Sequence, residues 1–440
     1  MQQTEKYVAA QGKAKPAAGA SKSIVIIGAL FFIFGFVTWV NSTLIPYLQI
    51  ACELNTSQAV WVTFAFYISY AVMAFPSSWV INKVGFKKGM MYGLIVMSLG
   101  ALIFIPAAHT RTFGLFLTGL FVIGIGLALL QTASNPYITI LGPIESAAKR
   151  MSIMGVCNKT AGAIAPLIMG AVLLKNMNGF ETNLSTLNAA EKAAKLDALA
   201  SQVVIPYIIL AIVLAALSLM IRFSHLPDIK TEEEETAGET NTSQRSIFSY
   251  TYLFLGFIAL FLYVGVEVMA GDIIQVYGKE INIPLDIAKH FTTYTMIAML
   301  ASYLLGIALI PKYISQDKAL RIAAVLGVIF SLCAIFTSGY TSILFIALLG
   351  FANAPVWPAL WPLALDGLGK HIKTGSALLI VGIAGGAILP KIWAMLGEHV
   401  GLQKAFWILV PCYLFIFYYA VSGNTIGKKL KRNKQVERTT

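Results

Sequence analysis

Twelve stretches of about twenty predominantly apolar residues decide most of what this chain can become. They fall near 24–48, 58–81, 89–108, 112–138, 150–174, 202–224, 250–276, 289–311, 319–338, 341–364, 374–396 and 403–424. A helix needs roughly twenty residues to cross a hydrocarbon core of about 30 Å, and each run meets that length. A water-soluble domain carries about 25% charged residues. Here the share is 12%, with 58% hydrophobic residues and a mean hydropathy of +0.75. The chain therefore reads as an all-α membrane protein of twelve transmembrane helices. Runs five, ten and eleven are interrupted by Gly or Pro. A membrane tolerates such interruptions only where neighbouring helices or a water-filled cavity satisfy the freed backbone groups.

Orientation follows from the basic residues. The polar opening segment 1–23 precedes an apolar run too long for a signal peptide, so it reads as a retained tail. Twenty-three of the 32 Lys and Arg lie in segments on the N-terminal side of the membrane, including six in the tail 425–440. Seven lie on the other side: Arg111, Lys175, Lys192, Lys195, Lys279, Lys289 and Lys404. The positive-inside rule then puts both termini in the cytoplasm of a cell whose inner, or plasma, membrane holds the spans. The net charge of +12 reports this topology. Because the basic residues are scattered over short loops, nothing calls for nucleic acid. Cys52, Cys157, Cys333 and Cys412 are far apart and suggest neither a zinc site nor a disulfide framework. The five histidines sit at or near span ends, which speaks against a histidine proton relay.

The one long polar stretch between spans, 225–249, carries an acidic run without apolar periodicity and reads as a cytoplasmic linker. It separates residues 24–224 from 250–424, six spans each. Three weak echoes relate the two parts: AGAIAP (161–166) with GGAILP (385–390), NKVG (82–85) with PKYI (311–314), and SNPYITILGP (134–143) with ANAPVWPALWP (352–362). Their offsets are similar and they fall in corresponding spans, which favours a duplicated six-helix unit. Two pseudo-symmetric six-helix bundles resemble the major facilitator plan, with a substrate site at mid-membrane between the halves.

Ionisable residues at membrane depth are functional hypotheses by default. Glu267 lies centrally in span seven, Asp272 toward its outer end, and Lys159 about ten residues into span five, where it is a possible charge partner for either acid. A carboxyl in low dielectric can cycle between protonated and ionised forms, as proton coupling requires. A carboxylate with carbonyl oxygens would equally hold Na⁺, so the residues leave the ion open. Lys391 is closer to the outer end of span eleven, where a lysine snorkels to the interface. The amides Asn41, Gln131, Asn135, Asn158 and Asn353 provide donors and acceptors without the cost of burying a charge, which suits an uncharged polyhydroxylated ligand. Gln131 and Asn135 share a helix face, and Pro136 should loosen the helix beside them. Among the tryptophans, Trp357, between Pro355 and Pro358, is the candidate for stacking on a sugar ring; Trp39, Trp61 and Trp361 read as interface anchors.

The segments QTASNPYITILGP (131–143), NSTLIPYLQ (41–49), YVGVEV (263–268) and GLGKHIKTGSALL (367–379) resemble the fucose–galactose–glucose symporter family of the major facilitators. The resemblance covers nearly the whole chain apart from the tails, the linker and the loop 175–201. It implies alternating access and cation-driven uptake of a neutral hexose or N-acetylhexosamine. In the fucose branch, coupling is attributed to an Asp in span one and a Glu in span four; those positions here are Ser42 and Gln131, which do not titrate. Asn158 matches a polar substrate-site position. YVGVEV resembles the glucose/galactose branch, with a Glu at Glu267. The expectation is therefore a transporter rather than an enzyme. It has no cofactor beyond a coupling ion (H⁺ or Na⁺), works as a monomer in the lipid bilayer, and places coupling on Glu267 and Asp272. The rival is an exporter of drugs or other small molecules on the same fold.

Overall fold

The computed structural model describes residues 20–140, 147–174, 180–224, 226, 247–310, 313–366, 368 and 371–427. These residues are almost entirely helical, and eleven helical stretches are long and apolar enough to cross a membrane. One of them, Thr56–Thr110, holds spans two and three together. The helix Trp61–Leu102 turns inside it at Gly85, whose φ of 81° and ψ of 167° are open to glycine and not to a residue with a side chain. Counted as two, they restore the twelve spans that the sequence predicts. The outer surface is apolar, with Trp79, Leu99, Ile209, Ile212, Leu219 and Phe336 exposed. A bilayer is the solvent such a surface requires.

The internal repeat is plainer in the main chain than in the letters. Glu53 and Asn282, 229 positions apart, both adopt left-handed backbone, at φ 53° and 62°. Hydrogen bonds around them recur at the same separation: Leu54 N–H to Gln49 O and Ile283 N–H to Gly278 O, Ala59 N–H to Asn55 O and Ala288 N–H to Pro284 O. Each half thus leaves its first span through the same turn and enters the next through a short helix, Thr56–Ala59 in one and Leu285–Ala288 in the other. In this register Asp272 mirrors Thr43, the neighbour of Ser42.

The breaks that matter fall partly elsewhere than expected. Span ten divides, into Gly339–Asn353 and Val356–Leu365, and span eleven carries a 3₁₀ turn at Gly382–Ala384 between Ile372–Val381 and Gly385–Val400. Span five stays helical from Ala147 to Leu173 despite Pro166. Span one continues through Val40 in helical backbone, from Ala20–Trp39 into Asn41–Ala51. Span seven, in contrast, breaks between Thr251–Gly271 and Ile274–Glu280, where the N–H groups of Asp272 and Ile273 both point to Val268 O. No proline marks that junction. Span four is helical from Phe113 through position 136 to Ile140; the Pro136 side chain lies outside the described residues.

The segment read as the loop 175–201 contains a helix, Ala189–Ser201, opened by a capping box in which Asn188 and Glu191 satisfy each other's main-chain N–H groups. It docks on span one, where the Tyr47 hydroxyl donates to Leu199 O (2.5 Å) and Ala200 O (3.1 Å). The linker 227–246 and the tails 1–19 and 428–440 lie outside the described residues.

Candidate functional site

The two bundles meet along spans one, two and five of the first and seven, eight, ten and eleven of the second. Their most conspicuous contact is electrostatic. Lys159 Nζ lies 2.8 Å from Glu267 Oε1, with side-chain exposures of 9% and 12%, so the pair is largely withdrawn from solvent. The same ammonium stands 4.5 Å from the centre of the Trp39 ring. Of the two acids offered to Lys159 by the sequence, the structure selects Glu267. Tyr263, Tyr303 and Tyr413 are within electrostatic range of that carboxylate.

Asp272 is fully buried at the break of span seven and has no salt-bridge partner among the described residues. The Tyr67 hydroxyl of span two donates to its Oδ2 at 3.1 Å, while Oδ1 has no hydrogen-bond partner among the described residues. The main chain at Ser42, in the first span, borders the same carboxyl. One turn further on, Gln275 Nε2 donates to Ser42 Oγ (3.2 Å) and Thr292 Oγ1 (3.0 Å). Span one at Ser42 and span seven just past its break therefore face each other and exchange polar contacts. Position 42, neutral here, is where the acid of the opposite half arrives.

Trp39, read from sequence as an interface anchor, is instead 2% exposed and wedged between the halves. A side chain at Gly162 or at Gly271 would collide with its ring. The signal was present: Trp39 sits well inside the first apolar run rather than at its end.

The amides separate into two kinds. Gln131 and Asn158 are half-buried and bond within their own half: Gln131 Nε2 donates to the Tyr70 hydroxyl (2.8 Å), and Asn158 Nδ2 reaches Phe31 O at 3.4 Å. Span one can lie this close to Asn158 because a side chain at Gly35 would strike the Asn158 carbonyl. Asn135 is also half-buried, one turn from Gln131. Asn41 and Asn353 are buried at 1% and 0% exposure. Asn353 Oδ1 accepts from Tyr413 OH (2.8 Å), so this amide turns toward span twelve; Asn41 Nδ2 has no partner among the described residues. Trp357 is half-buried and stacks on Trp361 (centroids 5.1 Å apart, planes at 20°), with Tyr263 at 6.3 Å. Tyr67 and Tyr70 stack at 6.4 Å and link Gln131 to Asp272. These tyrosines were invisible as site residues in an apolar run, since nothing in FAFYISYAV distinguishes a lipid-facing ring from an inward one.

On the side of the membrane away from the termini, Lys391 Nζ donates to Ser57 O (2.7 Å) and Ser57 Oγ (2.9 Å) and lies 4.9 Å from the Trp61 ring centre. Thr56 Oγ1 donates to Glu280 Oε1 at 2.5 Å. Lys391 thus reaches from the second half to the main chain of the first. With Thr293 donating to Ala163 O (2.9 Å), these bonds tie the halves from the midplane outward on that side.

A family model for the Major Facilitator Superfamily matches residues 27–390. The chain belongs to this superfamily. Among relatives, a glucose/galactose transporter of Brucella abortus is 33% identical over 399 residues, covering 90% of this chain and 92% of that one. An L-fucose-proton symporter of Escherichia coli is 27% identical over 414 residues, covering 92% and 94%. The crystal structure of the Escherichia coli fucose:proton symporter superposes with a TM-score of 0.70 at 25% identity, covering 91% of this chain and 98% of that one. For a facilitator, the midplane cluster lies where that architecture places its substrate site, at the interface of the repeats. The higher identity to the glucose/galactose relative agrees with the branch that YVGVEV resembles.

Proposed function

We propose that this facilitator imports a neutral hexose of the glucose, galactose or fucose type together with a proton, by alternating exposure of the site between its halves. The observation that carries the reading is the meeting, at mid-membrane, of half-buried neutral amides with a self-neutralised ion pair. Gln131 and Asn158 offer donors and acceptors to hydroxyl groups, and the Trp357–Trp361 stack offers a flat apolar face. Asn135 extends the polar face of span four, while Asn41 and Asn353 support the site from behind. The printed names of the relatives, glucose/galactose transporter and L-fucose-proton symporter, support the same substrate class and ion. Coupling is assigned to the carboxylates of span seven. At Glu267 the Lys159 ammonium stands where Na⁺ would have to bind, which speaks against a sodium site at that carboxylate. The distribution of Lys and Arg supports cytoplasmic termini, an inner-membrane location, and bundles bounded by 24–224 and 250–424 around a cytoplasmic linker. A single chain holds the whole site, so the working unit is a monomer.

Radiolabelled hexose uptake into proteoliposomes, with proton and sodium gradients imposed separately, tests the proposal. Accumulation should follow the proton gradient alone, and hydrophobic cations should give no ligand-induced thermal shift. Gln131→Ala and Asn158→Ala should each weaken sugar binding by about 2- to 10-fold, the size of one hydrogen bond. Accumulation driven only by sodium, or none with any hexose, would defeat the proposal.

A further inference from the structure

From the arrangement of charges between the halves, we infer that the coupling proton is carried by Asp272, with Tyr67 as its positioning residue, and that the Lys159–Glu267 pair remains ionised and carries no proton. This inference rests on the proton-symport reading and divides the work between the two acids.

The argument begins with charge. Lys159 and Glu267 at 2.8 Å cancel each other. The pair leaves no net charge at that point of the seam, so the halves close over it without stranding a charge, whereas neutralising either partner would strand the other. Asp272 has no such partner. Its neighbours are the Tyr67 hydroxyl from span two, the Ser42 main chain from span one, Glu267 on its own helix, and Lys159 of span five, already committed to Glu267. With Asp272 ionised, the cluster holds one net negative charge between the bundles; with Asp272 protonated, it is neutral. Here the carboxyl is 0% exposed, under halves joined by Lys391–Ser57 and Thr56–Glu280. Closing the bundles over an uncompensated charge is expensive at membrane depth, whereas closing them over a neutral acid is not.

Geometry gives the proton a place. Oδ2 accepts from Tyr67, which fixes the carboxyl plane, and Oδ1 is buried without a hydrogen-bond partner among the described residues. In the cycle, Asp272 takes a proton from hydronium while the site is open on the side away from the termini. The O–H bond persists while the halves close, and the proton returns to water when the site opens to the other side. Because sugar and proton favour the same closed state, each raises the affinity for the other.

The test is sugar affinity as a function of pH in the purified full-length protein, read by radioligand binding with glucose, galactose and fucose, beside proton-driven uptake by the wild type. Only the protonated fraction is competent to close, so above the midpoint of titration the apparent Kd should rise by up to about tenfold per pH unit. Asp272→Asn, always neutral, should flatten this dependence and abolish accumulation. The paired variant Lys159→Met with Glu267→Gln should retain the slope, though its affinity falls. Tyr67→Phe, by removing the donor to the ionised carboxyl, should move the midpoint to higher pH. If Asp272→Asn fails to fold, Asp272→Glu serves instead, and it should keep the slope with a displaced midpoint. A wild-type slope surviving in Asp272→Asn, a slope lost in the paired variant, or an unmoved midpoint in Asp272→Glu overturns the assignment alone. Absence of proton-driven uptake by the wild type overturns the symport reading beneath it.

Discussion

The two bundles share a backbone and differ in chemistry. The first contributes the neutral amides Gln131, Asn135 and Asn158, the cation Lys159 and the indole of Trp39; the second contributes both carboxylates, Glu267 and Asp272, and the Trp357–Trp361 stack. Their first-span turns repeat hydrogen bond for hydrogen bond at a separation of 229 residues. Duplication supplied one frame twice, and the side chains facing the interface then diverged until neither half alone had a neutral site. Charge balance at the midplane exists only across the seam, which ties binding to the position of one half against the other.

Breaking that cross-seam balance should have the largest effect. Lys159→Ala leaves Glu267 buried and unpaired, a loss of about 3–5 kcal/mol for a buried pair. Thermal unfolding in detergent should show it, and adding Glu267→Gln should recover much of the loss; a double variant as unstable as the single one would mean that the pair is incidental. Crowding the seam comes next. Gly271→Ala drives a methyl group into the Trp39 ring, and overpacking of this kind costs about 1–3 kcal/mol. Transport should fall, and trimming Trp39 to Phe in the same chain should restore part of it. A smaller effect is expected inside the second bundle, away from the seam. Tyr413→Phe leaves Asn353 Oδ1 without its donor, at a cost of about 1 kcal/mol, so stability should drop while proton dependence stays as it was. The smallest concerns the outer tie. Lys391→Met removes the bonds to Ser57, shifting the balance of closed and open forms by roughly 1 kcal/mol. Labelling of a cysteine placed at Ser57 should become faster, and an unchanged rate would show that this tie does not hold the closed form.

The fold was legible because lipid imposes a length and a composition that few other solvents impose. All twelve apolar runs correspond to helical spans, and spans two and three differ only in being joined through Gly85. The site was legible where its members are polar enough to be conspicuous in an apolar run. Lys159 and Glu267 stood out for that reason, and their pairing needed only a choice between two acids. Tyr67, Tyr70 and Trp39 did not stand out, because an aromatic ring in a span is equally at home against lipid, against protein or at the headgroups. Gln275 was overlooked because it falls near the end of its run, beyond a break that no Gly–Pro signature marks. Asn353 was read as an amide for the ligand, yet its direction depends on Tyr413, sixty positions away, and no periodicity within one span carries that information.

Trp39 has one consequence of a different kind. Its ring is shielded from water, lies against the sites of Gly162 and Gly271 in opposite halves, and has an ammonium 4.5 Å from its centre. An indole so placed emits at short wavelength while the seam is shut, and its emission shifts to the red when water enters. The molecule therefore contains its own optical gauge of which way it faces, needing no attached dye, once the other six tryptophans are replaced by phenylalanine.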